Sequence, residues 1–147
     1  DRSFDQWVDC DYLIIDMPPG TGDIALTCAK KLPLTAAILV STPHRLALLD
    51  AQRACEMFKK MHCPLLGLVT NMAYFTCTHC DQAHELFAGP VEEFIKNNEL
   101  NILSTFPLAQ DPAQLLWSSL AARSAAGLCC LQERRGVRMP PVVAETA

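Results

Sequence analysis

The chain has 147 residues, of which 50% are hydrophobic and 19% charged, so it suits one globular domain and wholesale disorder is excluded. Its net charge is −4, which provides no electrostatic footprint for nucleic acid or for an anionic membrane. No apolar run reaches the roughly 20 residues that a membrane-spanning helix needs. We therefore expect neither nucleic acid nor a membrane among its partners.

Apolar runs alternate with helix-like segments along the chain. Continuous apolar runs predict buried strands at residues 11–16, 36–41, 65–70 and 101–106. Composition and amphipathic spacing predict helices at 24–32, 44–61, 91–97 and about 111–126. Thr42 is the predicted N-cap of the second helix, and residues 74–83 are predicted to be irregular.

This order of elements predicts the fold class. Strands that are apolar throughout, rather than alternating, are typical of a parallel sheet covered on both faces. We therefore predict an α/β fold with a doubly wound, mostly parallel sheet and helices on both faces. The composition changes in the last 20 residues, so residues 128–147 are predicted to be a loosely ordered C-terminal tail.

The eight cysteines and the first residue bear on compartment and completeness. Cys10, Cys28, Cys55 and Cys63 lie in or beside apolar segments, where a free thiol packs as a small hydrophobe. No export signal precedes them, so we expect a reducing compartment. The chain begins at Asp1 rather than Met. We expect a fragment of a longer protein, with a degenerate homologue as the alternative.

The loop after the first strand carries candidate phosphate chemistry. An acid at the carboxyl end of a parallel strand, here Asp16, faces the ligand crevice and can hold the water shell of Mg²⁺. Gly20 and Gly22 allow backbone N–H groups to approach a phosphate. The alternative is an ordinary strand–turn–helix corner in which Asp16 caps the next helix.

Over roughly residues 7–112 the sequence resembles the Mrp/ApbC family, whose members are P-loop ATPases of the MinD-like, deviant Walker A group and carry iron–sulfur clusters. The matching segments are DYLIIDMPPGTGDIALT at 11–27, STPHRLALLDAQRACEMFKKMHCPLLGLVTNMAYF at 41–75, CTHC at 77–80, HELF at 84–87 and FPL at 106–108. The first resembles the Walker B and switch II segment. The third resembles the family's CPxC motif, with Thr78 in place of the usual Pro.

The resemblance implies roles for four residues. Asp16 would position Mg²⁺ and the attacking water, and Gly20 would offer its N–H to the γ-phosphate of ATP. Asp23 would lie in the switch that reports the nucleotide state, and Asn71 would recognise the adenine. Residues 1–127 would then form part of a P-loop NTPase domain, from Walker B to the last strand and helix.

The family's phosphate-binding loop does not occur in these residues. No G-x-x-x-x-G-K-[ST] is present in the 147 residues, and the family places that loop upstream of the matched region. Without its lysine and its backbone cradle, the triphosphate loses most of its ligands. The resemblance implies an ATP-hydrolysing protein, and the residues in hand leave enzymatic activity of this chain open.

Cys77 and Cys80 form a C-x-x-C pair, a spacing that lets two thiolates reach one metal centre from a single turn. Three kinds of site remain open: an iron–sulfur cluster, a structural zinc knuckle and a dithiol redox pair. His79 lies inside the motif as a candidate ligand, and His84 is a candidate supporting residue. Because two thiolates cannot complete a four-thiolate site, such a site needs either a second pair in the chain or a second chain, and the adjacent Cys129 and Cys130 are a poor chelating pair.

The resemblance implies how that site is completed and what it serves. In the family, a homodimer holds a [4Fe–4S] cluster between the two C-x-x-C motifs and passes it to apo iron–sulfur proteins; a related hetero-oligomer is the variant arrangement. ATP and Mg²⁺ would act in the full-length protein. We expect a cytoplasmic protein, with the mitochondrion as the alternative compartment. The competing functions are a MinD- or ParA-like ATPase that positions other proteins, and a non-catalytic zinc-binding remnant.

Overall fold

The computed structural model describes residues 11–18, 20, 22–109, 114–135 and 142–146, with side chains described up to residue 131. Five strands and four helices precede the last strand. In chain order the elements are β1 (Leu13–Met17), α1 (Asp23–Lys31), β2 (Ala36–Ser41), α2 (Arg45–Lys60), β3 (Leu65–Thr76), β4 (Ala83–Glu85), α3 (Val91–Asn98), β5 (Ile102–Pro107), α4 (Gln114–Arg135) and β6 (Val142–Thr146).

The six strands form one mixed sheet. Its order is β1-β6-β2-β3-β4, with β5 also paired to β3. Every described pair is parallel except β3 with β4, which is an antiparallel hairpin. Helices connect the parallel strands, as crossover connections require. The predicted α/β fold with a mostly parallel sheet is confirmed.

Helices cover the sheet on both faces. Ala37 and Leu39 of β2 pack in the main core with α1, α2 and α3, whereas Ala36 and Ile38 pack on the other face beside Leu128 of α4. Successive strand residues point to opposite faces, so a strand buried on both sides is apolar throughout. The strand β2 is therefore apolar throughout because it is buried on both faces, as predicted.

The strand β1 differs from this pattern. It was predicted to be buried, but Ile14 is 67% exposed, whereas Met17 is 3% exposed and packs in the main core. The described part of α4 packs on β2, β3 and β5, so it leaves the Ile14 face of β1 uncovered. The composition of a strand does not predict whether a helix on the second face of the sheet, here α4, covers it.

The internal cysteines are packing residues, as predicted, except that Cys10 lies outside the described residues. Cys55 is fully buried, Cys63 is buried, and Cys28 packs against the main core. The Cys55 thiol donates to Asn98 Oδ1 (3.1 Å), which joins α2 to α3. Burial raises the pKa of this thiol, and the Lys59 ammonium opposes that effect, so Cys55 is held as a neutral donor.

Within the predicted C-terminal tail, residues 128–135 and 142–146 have regular secondary structure. The helix α4, predicted to end near residue 126, continues to Arg135, and β6 lies between β1 and β2. The sequence LQERR at 131–135 consists of strong helix formers, and VV at 142–143 favours a strand. Local preference thus agrees with the structure here. Within the described residues, no helix combines the length and apolarity needed to cross a membrane.

Candidate functional site

The hairpin of β3 and β4 carries the C-x-x-C motif in its turn. Pairing joins Tyr74 with Glu85, Phe75 with His84 and Thr76 with Ala83. The Cys77 N–H donates to the Gln82 carbonyl (2.9 Å), and the Asp81 N–H donates to the Cys77 carbonyl (2.9 Å). These bonds close the turn, so residues 74–83 are not irregular throughout. The sequence does not predict this hairpin, because its paired residues show no alternating apolar pattern.

The turn and the second strand bring three ligating side chains together. The Cys77 and Cys80 sulfurs and an imidazole nitrogen of His84 all lie within 4.8 Å of one another. Cys80 and His84 are exposed, and Cys77 is half-buried. Among the described residues, His79, the other candidate histidine, does not belong to this group of ligating side chains. The spacing C-x-x-C-x-x-x-H is a signal that could have singled out His84 from the sequence.

Two contacts fix the orientation of the His84 ring. Its place in the hairpin sets it opposite Phe75, and the two rings stack with centroids 5.2 Å apart and planes 22° apart. Directly opposed cross-strand side chains are close enough for such contacts. The imidazole therefore packs against Phe75 beside the turn while it remains exposed to solvent.

Hydrogen bonds in the turn make the Cys77 thiol easier to deprotonate than an ordinary cysteine. Backbone N–H groups of His79 and Cys80 donate to it, as does the Cys80 thiol, and together they lower the pKa of Cys77 below its ordinary value. Burial opposes this effect only weakly. A thiolate is the form that binds metal ions, so the loop geometry prepares Cys77 for that role. The buried Cys55 thiol, whose pKa is raised, is the contrasting case.

The segment after β4 ties this hairpin to the start of α2. The Phe87 ring meets His44 edge-on, with centroids 5.5 Å apart, and a side chain on Gly89 would collide with the Pro43 carbonyl. His44, not Thr42, is the N-cap of α2, and its Nδ1 accepts from the Leu46 N–H (3.2 Å). The predicted cap is wrong because the extended backbone of His44 keeps Pro43 outside the helix.

A cavity of about 790 Å³ lies between this segment and the strands β3 and β5. Thr70, Tyr74 and Thr105 line it, together with the acidic residues Glu85, Glu92 and Glu93. Three carboxylates disfavour the phosphate groups of a nucleotide at this position. The acidic lining of this cavity therefore distinguishes it from the phosphate-binding loop predicted after β1.

The predicted nucleotide residues lie on two parts of the sheet. Asp16 is exposed near the end of β1, Gly20 has a φ of 82° in the loop that follows, and Asp23 begins α1. Asn71 lies on β3, where its Oδ1 accepts from the Met72 N–H (2.9 Å). Two strands separate β1 from β3, so about 14 Å of sheet separates them, at roughly 4.8 Å per strand spacing.

Asp16→Ala is expected to leave the fold intact. The carboxylate is exposed and belongs to no ion pair among the described residues, so its removal should change the free energy of unfolding by less than about 0.5 kcal/mol. The matched control is Met17→Ala at the next, buried position, which should cost about 2–5 kcal/mol. Urea unfolding of both variants checks this, and non-cooperative unfolding of Asp16→Ala would identify the carboxylate as a structural cap instead.

The family model described as the NUBPL iron-transfer P-loop NTPase, of the ParA type, matches residues 4–120. An iron–sulfur cluster carrier protein from Pseudomonas fragi is 41% identical over 141 residues, which cover 83% of this chain and 49% of the relative. The iron–sulfur cluster transfer protein NUBPL of Mus musculus is 42% identical over 103 residues, which cover 69% of this chain and 32% of the relative.

A solved structure shares the fold. The nucleotide-binding protein from Archaeoglobus fulgidus, described in complex with ADP and with Co found in it, superimposes with a TM-score of 0.63 at 32% identity. The match covers 83% of this chain and 47% of that chain. The chain thus spans about half the length of this structure and of the Pseudomonas relative. Since the family model covers well over half of the 147 residues, the chain belongs to the family of NUBPL iron-transfer P-loop NTPases, as its resemblance to Mrp/ApbC proteins predicted.

Proposed function

We propose that this protein carries an iron–sulfur cluster on Cys77 and Cys80 and transfers it to apo iron–sulfur proteins. One observation carries the proposal: both sulfurs lie at one exposed hairpin turn whose backbone favours the thiolate of Cys77. Relatives that are about 40% identical are named iron–sulfur cluster carrier or transfer proteins, which supports the same cargo here. Exposure suits a site that must give its cargo away.

The cargo is a [4Fe–4S] cluster shared by two subunits. A cubane cluster takes four thiolates, and each chain offers two in this turn. Cys80 is exposed and Cys77 half-buried, so a second turn can approach the same face. A homodimer in which the two hairpin turns meet supplies all four ligands, and a related hetero-oligomer would do so in the same way.

Nucleotide would lie across the described sheet, with its phosphates at the β1 edge and its base at β3, the strand that leads into the turn. Asp16, Gly20 and Asp23 would contact Mg²⁺ and the phosphates of ATP, and Asn71 would contact the base. The separation of about 14 Å between β1 and β3, from three strand spacings, suits a ligand with phosphates at one end and a base at the other. The His44–Phe87 contact joins the start of α2 to the segment that follows the hairpin.

Anaerobic reconstitution with iron and sulfide tests the cargo. We expect the broad visible absorption of a [4Fe–4S] cluster at about one cluster per two chains, because four thiolates are needed. Loading should convert the chain to a dimer, which sedimentation measures on the same sample. Metal-free protein that takes up no cluster during reconstitution but binds stoichiometric zinc, or a cluster-loaded monomer, would contradict the proposal. The first of these results would favour the zinc-binding alternative.

A further inference from the structure

The hairpin turn offers a third ligand that the shared cluster does not use. His84 lies on β4, outside the C-x-x-C motif, yet its ring nitrogen is within 4.8 Å of both sulfurs. Tetrahedral zinc has metal–sulfur distances of about 2.3 Å and metal–nitrogen distances of about 2.0 Å, which separate ligand atoms by about 3.5–3.8 Å. The three side chains therefore need to approach one another by only about 1 Å.

The backbone already holds these ligands in place. Both sulfurs belong to a turn closed by two hydrogen bonds of 2.9 Å, and the imidazole is stacked on Phe75. Binding would thus order few additional rotatable bonds, and side chains positioned before binding lose less entropy when a ligand arrives. The partial exposure of the group gives a metal ion a direct path from solvent.

We propose that a single chain binds one divalent transition-metal ion through the sulfurs of Cys77 and Cys80 and the imidazole of His84. The two thiols release their protons on binding, and the fourth position stays open to water. Two sulfurs and one nitrogen select a borderline-soft ion such as Zn²⁺, Co²⁺ or Fe²⁺ and disfavour Mg²⁺ and Ca²⁺. This inference deepens the proposed function and rests on its assignment of Cys77 and Cys80 as metal ligands.

Single-ion binding and cluster binding exclude each other. The ion takes both thiolates of one chain, whereas the cluster takes the same thiolates from two chains. The ion is bound at one per chain and needs no dimer. A chain loaded with Zn²⁺ must therefore release it before a cluster can assemble, so zinc competes with cluster loading.

Cobalt titration of the full chain tests this site in the absence of iron and sulfide. Under anaerobic conditions with a non-thiol reductant, we expect the visible d–d bands of tetrahedral Co²⁺ and a sulfur-to-cobalt charge-transfer band. Saturation should occur at one ion per monomer. His84→Ala should weaken binding by at least about 10-fold, since even indirect partners of a metal contribute that much.

Two matched variants serve as controls. His79→Ala removes the neighbouring imidazole but keeps the backbone N–H that faces Cys77, and Cys129→Ser removes an exposed thiol from α4. Both should bind cobalt as the unaltered chain does. His84 is exposed, so its replacement should leave the thermal unfolding midpoint unchanged and its effect can be assigned to the metal.

Two outcomes would overturn the proposal. One is unaltered cobalt affinity in His84→Ala, and the other is saturation at one ion per two chains. The titration contains neither iron nor sulfide, so its failure leaves a positive cluster reconstitution standing. Failure to load a cluster likewise leaves a positive cobalt titration standing, and the two proposals are therefore judged separately.

Discussion

Cys77→Ser and Cys80→Ser are each expected to abolish the iron–sulfur cluster. Either change removes two of the four thiolates from a cluster shared by two chains, and a serine hydroxyl is a much poorer ligand to iron than a thiolate. The visible absorption after anaerobic reconstitution should fall to the level of a sample without protein. Iron and sulfide analysis of the desalted protein should give the same result.

Two other cysteines provide matched controls for this experiment. Cys129→Ser alters an exposed thiol on α4, and Cys55→Ser alters a buried thiol whose hydrogen bond to Asn98 a hydroxyl can also make. Both variants should load the cluster at the level of the unaltered chain. A cluster that persists when both Cys77 and Cys80 are replaced would show that the ligands lie elsewhere and would contradict the carrier proposal.

Phe58→Ala is expected to produce the largest loss of stability, about 3–5 kcal/mol. Phe58 has no exposed surface and lies in the main core, where α2 packs against the sheet. Truncation removes the transfer free energy of the ring and leaves a cavity that close-packed neighbours fill only in part. Domains of this size are commonly stable by about 5–15 kcal/mol, so the change takes a large share of the total.

Urea unfolding measures this effect, with Leu49→Ala as the control. Leu49 lies on the same helix but is 53% exposed, so its truncation should change the free energy of unfolding by less than about 0.5 kcal/mol. The midpoint of Phe58→Ala should fall while the slope against urea stays unchanged. A loss below about 1 kcal/mol would mean that α2 does not anchor the core as the structure describes.

Short-range patterns predicted the parallel strands β1, β2, β3 and β5 but missed the parallel strand β6. The strand β2 has the predicted bounds, Ala36–Ser41, and α2 differs from its prediction by one residue at each end. Both elements are buried through regular faces, so apolar periodicity reports their burial directly. Where that relation fails, prediction fails too: β4 is exposed at all three residues and has no apolar pattern to detect.

Among the candidate metal ligands, too, some were predicted from the sequence and one was not. The C-x-x-C spacing predicted that Cys77 and Cys80 share one turn, because neighbours so close in sequence have little freedom to separate. From the sequence alone, His79 is the candidate ligand and His84 a supporting residue. The register of the hairpin reverses that order of preference, since it pairs His84 with Phe75 beside the turn.

By itself, therefore, the sequence determined the α/β class, the family and the placement of Cys77 and Cys80 in one turn, all of which follow from local patterns or from matching segments. Only the tertiary structure decided that His84 joins those cysteines, that helices leave Ile14 uncovered and that β6 pairs between β1 and β2. The physical reason is common to all three. Strand register and layer packing bring together residues whose separation in the chain carries no information about their distance in the fold.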